Sequence, residues 1–305
     1  MAAAPPPPTT PPGLVNVREV IAIHSAKGGV GKSTVAANLA VTLAKMGLNV
    51  ALLDADIHGP SIAHMFGSSE RPEVVPGKNM ARPLSRHGVS YLSLANVATD
   101  DAPIIWRGPM VSGALQQLLT QVDWGDQDVL LIDMPPGTGD AVLSVGQGLS
   151  LTGVVGVTTP QELSLADTRR GLQAFAKLQV PVLGVLENMA GFACDECGEL
   201  AFPFGERGGE DATRELELEF LGRLPLDPSV GVAADSGRPA ACDDDHASAP
   251  AFAAIARALL ARMAEQGRSG DGGFDVTWAA NVAPDLGADV TEREGAGDPA
   301  QPVKV

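Results

Sequence analysis

The chain is poor in lysine, in aromatic side chains and in cysteine. It has 305 residues, with six Lys against fifteen Arg, and Asp and Glu outnumber Lys and Arg by 37 to 21, a formal charge of −16. No cluster of Lys and Arg offsets this charge, so nucleic acid and anionic membrane surfaces are expected to be repelled. Aromatics make up 4% of the residues, with a single tyrosine. A core must therefore be built from Ala, Val and Leu. Three cysteines, Cys194, Cys197 and Cys242, make a poor disulfide framework, and a chain of this length does not need one. No apolar run reaches the roughly 20 residues a membrane helix requires. The start, MAAAPPPPTTPPG, lacks the charged-then-apolar order of a signal peptide. A cytoplasmic protein is expected, with neither nucleic acid nor membrane as a partner.

Three regions are expected: a Pro-rich disordered leader at 1–13, a folded body at 14–265 and an acidic tail at 266–305. The segment FDVTWAA (274–280) is an apolar island within that tail. In the body, apolar runs at 19–26, 49–56, 89–95, 128–135, 153–160 and 181–188 alternate with helical patterns at 33–47, 163–178 and 249–267. The runs do not alternate apolar with polar, as expected of strands buried on both faces. The pattern predicts an α/β fold, a mostly parallel sheet covered by helices on both faces. The helix at 249–267 carries Arg257 and Arg262 but is apolar around most of its girth, so core packing is favoured over a membrane foot.

The most informative stretch is HSAKGGVGKSTVAANLA, residues 24–40. A strand, a glycine-rich turn and a helix opening at Ser33 form a phosphate-binding loop in its proper context. Gly28, Gly29 and Gly31, with Val30 between them, let consecutive N–H groups turn towards phosphate oxygens. Lys32 would neutralise the β and γ phosphates, Ser33 would present its hydroxyl to Mg2+ and Thr34 would reach the α phosphate. Two further runs end in carboxylates, Asp54 and Asp56 in LLDADIHGPS and Asp133 in LLIDMPPGTGD. Acids at the C-terminal ends of parallel strands face the ligand crevice. Asp133 is expected to hold Mg2+. Of Asp54 and Asp56, one would support the metal, expected to be Asp54, and the other, Asp56, would orient or deprotonate the attacking water.

The loop departs from the common pattern: Ala26 stands where the first glycine is expected, and a second lysine, Lys27, opens the loop. KGGVGKST resembles the deviant Walker A motif of the SIMIBI-class P-loop NTPases, the superfamily of MinD, ParA and the nitrogenase iron protein. The resemblance implies that Lys27 reaches across a homodimer to the partner's nucleotide, a charge supplied only when two copies meet.

DADIHGPS (54–61), RGPM (107–110), IDMPPGTGD (132–140), VTTPQ (157–161), GVLENM (184–189) and CDECG (194–198) follow in order. This set resembles the Mrp/ApbC family of iron–sulfur cluster carrier ATPases, close to the Nbp-type scaffolds, over about residues 17–262. It implies ATP, Mg2+ and a [4Fe–4S] cluster as ligands, a homodimer, and apo iron–sulfur proteins as clients. It implies that Asn188 bonds the adenine ring and that LPLD (224–227) walls the base pocket. Cys194 and Cys197 supply two thiolates where a cluster or a zinc ion wants about four. Two copies of the chain would supply four, in line with the family's arrangement. From spacing alone, half a zinc site and a redox dithiol stay open as readings. Asp195 and Glu196 add negative charge between the cysteines. Arg107 and Met110 receive no role. Cys242 reads as an incidental thiol, and His24, His58, His64, His87 and His246 make no ligand pattern.

A positioning or partitioning ATPase of the MinD/ParA type is the alternative with the same nucleotide site. It would need a membrane helix or a basic DNA-binding face. An electron-donating reductase is a third, and it takes cluster cysteines from two separate loops.

Overall fold

The computed structural model describes residues 11–56, 59–97, 113–137 (except 114 and 116), 145–194 (except 147) and 196–269, the last three without side chains. His58, Arg107, Met110, Asp195 and the segment 274–280 lie outside the described residues.

The body is an α/β fold around one eight-stranded sheet. The strands are β1 (Val17–His24), β2 (Val50–Asp54), β3 (Leu84–Arg86), β4 (Val89–Ser93), β5 (Gln127–Asp133), β6 (Gly153–Thr158), β7 (Val182–Glu187) and β10 (Phe220–Arg223). Their order is β10-β7-β6-β1-β5-β2-β4-β3, parallel throughout except for β3, which pairs antiparallel with β4. A separate two-stranded hairpin joins β8 (Phe192–Ala193) to β9 (Leu200–Ala201).

Side-chain alternation divides the core into two layers. Ile21 and Ile23 of β1 join Leu52 and Leu131 on one face of the sheet. Val20 and Ala22 join Leu53 and Ile132 on the other. Both layers are apolar, which is why the central strands read as unbroken apolar runs. Helix α1 (Lys32–Lys45) and helix α6 (Ala249–Ser269) cover the first face. Helix α3 (Glu162–Lys177) covers the second through Leu172 and Phe175, alongside Leu118, Leu119 and Trp124. Short helices α2 (Ile62–Met65), α4 (Gly208–Glu215) and α5 (Pro228–Asp235) complete the chain.

Helix α1 stops where the sequence says it should. Gly47 takes φ 93°, and its N–H and that of Leu48 return to Ala44 O and Leu43 O. On α6, Phe252, Ile255, Ala256, Leu259, Leu260 and Met263 are buried against α1 and β10, and Arg257 stays exposed. Burying each large side chain of that stripe contributes about 1.5–3 kcal/mol, and α6 is a core helix.

Two edges of the sheet were not expected. β3 is three residues long, and β10 is four residues interrupted by Gly222 at φ 134°, where a Cβ would press on Ile255. Strands this short and this polar carry no period to read. The run expected at 49–56 is strand only as far as Asp54, so Asp56 belongs to the loop that follows.

Candidate functional site

The loop between β1 and α1 lies at the C-terminal edge of the sheet, next to two strands that end in carboxylates. β5 pairs with both β1 and β2, and its register sets Asp133 opposite Ile23 on one side and Asp54 on the other. Gly29 and Gly31 take φ 80° and 81°, the left-handed region that side chains avoid. At Gly31 a Cβ would also lie 2.3 Å from Asn188 Nδ2, so glycine is required there twice over.

Lys32 opens α1 with its side chain buried. Its Nζ lies 2.6 Å from Asp133 Oδ1, 3.3 Å from Ser33 Oγ and 3.9 Å from Asp56 Oδ2. Burial pushes the Asp133 carboxyl above its usual range, and the Lys32 ammonium pulls it back. Burial, then the nearby Asp133 charge, pushes Asp54 up to about 7.

The three acids are not equivalent. Asp54 Oδ2 accepts from Ser61 N, Ile62 N and Ser93 Oγ, and its Oδ1 accepts from Asp56 N. Asp54 is expected at the metal, but these bonds leave it little lone-pair capacity and tie Asp56, Ser61, Ile62 and Ser93 to the end of β2. Asp133 Oδ2 and Asp56 Oδ1 are buried without a hydrogen-bond partner. Orphaned carboxylate oxygens beside a phosphate loop suit a hydrated cation. Mg2+ takes one or two carboxylates and fills its shell with water and phosphate oxygens, so Asp133 with the Ser33 hydroxyl fits it.

A cavity of about 270 Å3 opens beyond the loop, lined among others by Gly31, Thr34, Asn188, Leu224, Asp227 and Phe252. It brings Asn188 and the 224–227 segment together, as expected of a base pocket. Asn188 is fixed twice, by N–H to Thr158 O and by Nδ2 to Val30 O, both 2.8 Å.

Lys27 has a different environment from Lys32. Its side chain is about one-third exposed, and its Nζ lies 3.4 Å from Asp167 Oδ2 on α3. Asp167 was not anticipated, because nothing local in the sequence ties a helix residue of a distant segment to the loop. Ser93, which donates to Asp54, was missed for the same reason.

His24 ends β1 fully buried, and neither ring nitrogen has a hydrogen-bond partner. Its ring meets Phe175 edge-on at 5.1 Å between centroids. Burial first, then the Lys32 charge, lowers it to about 4, so the ring is neutral near pH 7.

The cysteine pair lies on the β8–β9 turn. Cys194 N–H donates to Glu199 O at 2.9 Å, and Gly198 N–H donates to Cys194 O at 2.8 Å, closing the turn. Cys194 is half-buried and Cys197 is exposed, with no disulfide between them. Cys242 is half-buried against the core on the α1 side, and burial pushes its thiol up. Among the described residues no group of three or more His, Cys, Asp or Glu is placed to hold a metal ion. Nor is any described helix long and apolar enough to cross a membrane.

A glycine-rich loop on a central parallel strand, an enclosed lysine and strand-end carboxylates define a P-loop NTPase. The same fold is seen in the cell division ATPase MinD of Pyrococcus furiosus, 25% identical, with a TM-score of 0.59 over 79% of this chain and 98% of that one. Within this class the match narrows. The family described as NUBPL iron-transfer P-loop NTPase matches residues 16–260. An iron–sulfur cluster carrier protein of Pseudomonas fragi is 51% identical over 76% of this chain and 82% of its own. A nucleotide-binding protein of Archaeoglobus fulgidus, solved with ADP, is 39% identical with a TM-score of 0.65, over 74% of this chain and 89% of that one. The chain belongs to the Mrp/ApbC/NUBPL family of iron–sulfur cluster carriers.

Proposed function

We propose that this chain binds and hydrolyses ATP at residues 27–34, holds a [4Fe–4S] cluster between two copies of itself and passes it to apo-proteins. The observation that carries the cargo reading is the Cys194/Cys197 turn. It sets one exposed and one half-buried thiol three residues apart, within a chain whose relatives are named as cluster carriers. Two thiols make half of a four-ligand set, and a twofold axis completes it. A cluster held by partly exposed thiols at a subunit boundary suits release to a client.

The nucleotide chemistry follows from the residues around the loop. The turned backbone N–H groups and the start of α1 receive the phosphates. Lys32 exchanges its Asp133 partner for the β and γ phosphates, and Asp133 with Ser33 would hold Mg2+, which when bound would supply charge neutralisation to the phosphates. Asp56, its Oδ1 open, orients the attacking water. Asn188 has committed Nδ2 to Val30 O, which leaves its amide oxygen to accept from the exocyclic amine of adenine. Lys27 leaves Asp167 when a second copy docks and adds its charge at the partner's nucleotide.

Anaerobic reconstitution with iron and sulfide tests the cargo reading. One cluster per two chains, seen in visible absorbance and native mass, is expected, and Cys194→Ala with Cys197→Ala should abolish it. A chain that stays single while retaining its inorganic centre would overturn the reading. The positioning-ATPase alternative predicts co-sedimentation with liposomes or DNA instead.

A further inference from the structure

The β8–β9 hairpin is fastened at both ends to walls of the nucleotide site. On the entry side, Ala190 N–H donates to Leu224 O at 2.9 Å and Leu226 N–H donates to Gly191 O at 2.7 Å. Leu224 and Leu226 are walls of the base cavity. On the exit side, the half-buried Phe204 closes a second cavity of about 140 Å3, whose other walls include Lys27, Gly28, Gly29 and Met189. The exit strap packs closely at two points. Phe202 lies over Gly191, where a Cβ would be 3.1 Å from the ring, and a Cβ on Gly208 would be 2.4 Å from Pro160 O at the end of β6.

Each strand of this hairpin is two residues long. A ribbon of that size is not stable alone. The geometry of the turn bearing Cys194 and Cys197 is therefore set by its two flanks, one hydrogen-bonded to Leu224 and Leu226 and one passing the cavity beside the phosphate loop to pack at Pro160. Whatever stiffens those walls stiffens the turn.

We propose that Phe204 is a positioning residue that couples nucleotide occupancy to the cysteine turn. It lines the same cavity as Lys27, Gly28 and Gly29 of the segment that must accommodate the phosphates, and the chain between it and Cys197 is short. The proposal deepens the carrier reading and shares its assignment of the loop to a nucleotide. It does not depend on a cluster being bound.

The test uses the full metal-free chain and ADP, which fills the base and proximal phosphate subsites. Alkylation of Cys197 is followed by peptide-resolved mass spectrometry with and without saturating ADP, and assembly state is followed by light scattering. ADP is expected to slow alkylation about fivefold in the unaltered chain, the low end of coupling between two sites. Phe204→Leu should retain that response. Phe204→Ala, at ADP concentrations that saturate that variant, should reduce it below about twofold. An unaltered chain that binds ADP without a response overturns the proposal, as does a full response in Phe204→Ala. Should Phe204→Ala fail to fold, amide exchange in the unaltered chain decides. Slowing by ADP at both Leu226 and Gly198 supports the coupling, and slowing at Leu226 alone overturns it. A failed cluster reconstitution would sink the cargo reading and leave this thiol measurement standing.

Discussion

Lys32 Nζ and Asp133 Oδ1 form an ion pair at 2.6 Å, with Lys32 6% exposed and Asp133 fully enclosed. Each is the other's main charge compensation in a site built for phosphate. Removing one partner strands the other, and breaking a buried pair in this way costs about 3–5 kcal/mol. Lys32→Ala should therefore lower stability by about that amount in urea melts, besides losing nucleotide binding. Asp133→Asn keeps a polar partner for Lys32. It should fold, bind nucleotide and lose Mg2+-dependent turnover by about 100-fold or more. Unchanged turnover in that variant removes Asp133 from the metal.

Lys27 contributes nothing to the enclosed pair around Lys32, since its carboxylate partner is Asp167 at 3.4 Å. Lys27→Ala should leave ATP affinity within about twofold and reduce hydrolysis by about 1,000-fold, the scale of a cation supplied to transferring phosphate in trans. Equilibrium binding of a fluorescent ATP analogue and single-turnover hydrolysis separate the two effects. Full turnover in the variant would end the trans-lysine reading.

Asn188 lines the 270 Å3 cavity and ties it to the loop through Val30 O. Asn188→Ala should weaken ATP binding about tenfold, the loss of one hydrogen bond to the base and one to the loop. Gly31→Ala should do more damage. Its Cβ would meet Asn188 Nδ2 at 2.3 Å on a backbone at φ 81°, and calorimetry should detect no ATP binding.

His24 makes a prediction about acid. Its folded value, about 4, lies below the ordinary 6.5 because burial opposes the charged ring. Its contribution is therefore fully present above pH 6.5 and is lost as pH falls towards 4. The loss amounts to about 3 kcal/mol over that window. Because Asp54 opposes it over the same window, the readout is the difference between variants: from pH 7 to pH 4 the denaturant midpoint of His24→Leu should fall less, or rise more, than that of the unaltered chain. Asp54, raised to about 7, works in the opposite sense, stabilising at low pH and losing its contribution as pH rises through 7. An unaltered slope in His24→Leu removes this assignment.

Gly171 faces His24 across the second core layer, where a Cβ would be 2.5 Å from Nε2. Gly171→Ala should cost about 1–3 kcal/mol by overpacking. Thermal melts check this, and His24→Ala in the same chain should restore part of the loss.

The central strands and the three long helices were legible because their residues obey local rules. Unbroken apolar runs mean two covered faces, Gly47 ends α1, and the apolar girth of 249–267 means core. The phosphate loop was legible because its function needs glycines and a Lys-Ser pair at fixed spacing, which the chain writes consecutively. The edges β3 and β10 were not legible, since three or four residues carry no period.

Sequence order alone thus settled which segments become the central strands and the long helices, where the phosphate loop falls and that the two cysteines lie close together along the chain. It could not say which carboxylate does what. Asp54, Asp56 and Asp133 look alike as strand-end acids. Their difference comes from Ser93, Ile62 and Lys32, which only the parallel register and the closure of α1 onto β5 bring within bonding distance. The partner of Lys27 and the place of Phe204 at a cavity shared with the loop belong to that same level. Each brings together segments far apart along the chain, and such meetings exist only once the sheet has fixed where those segments lie.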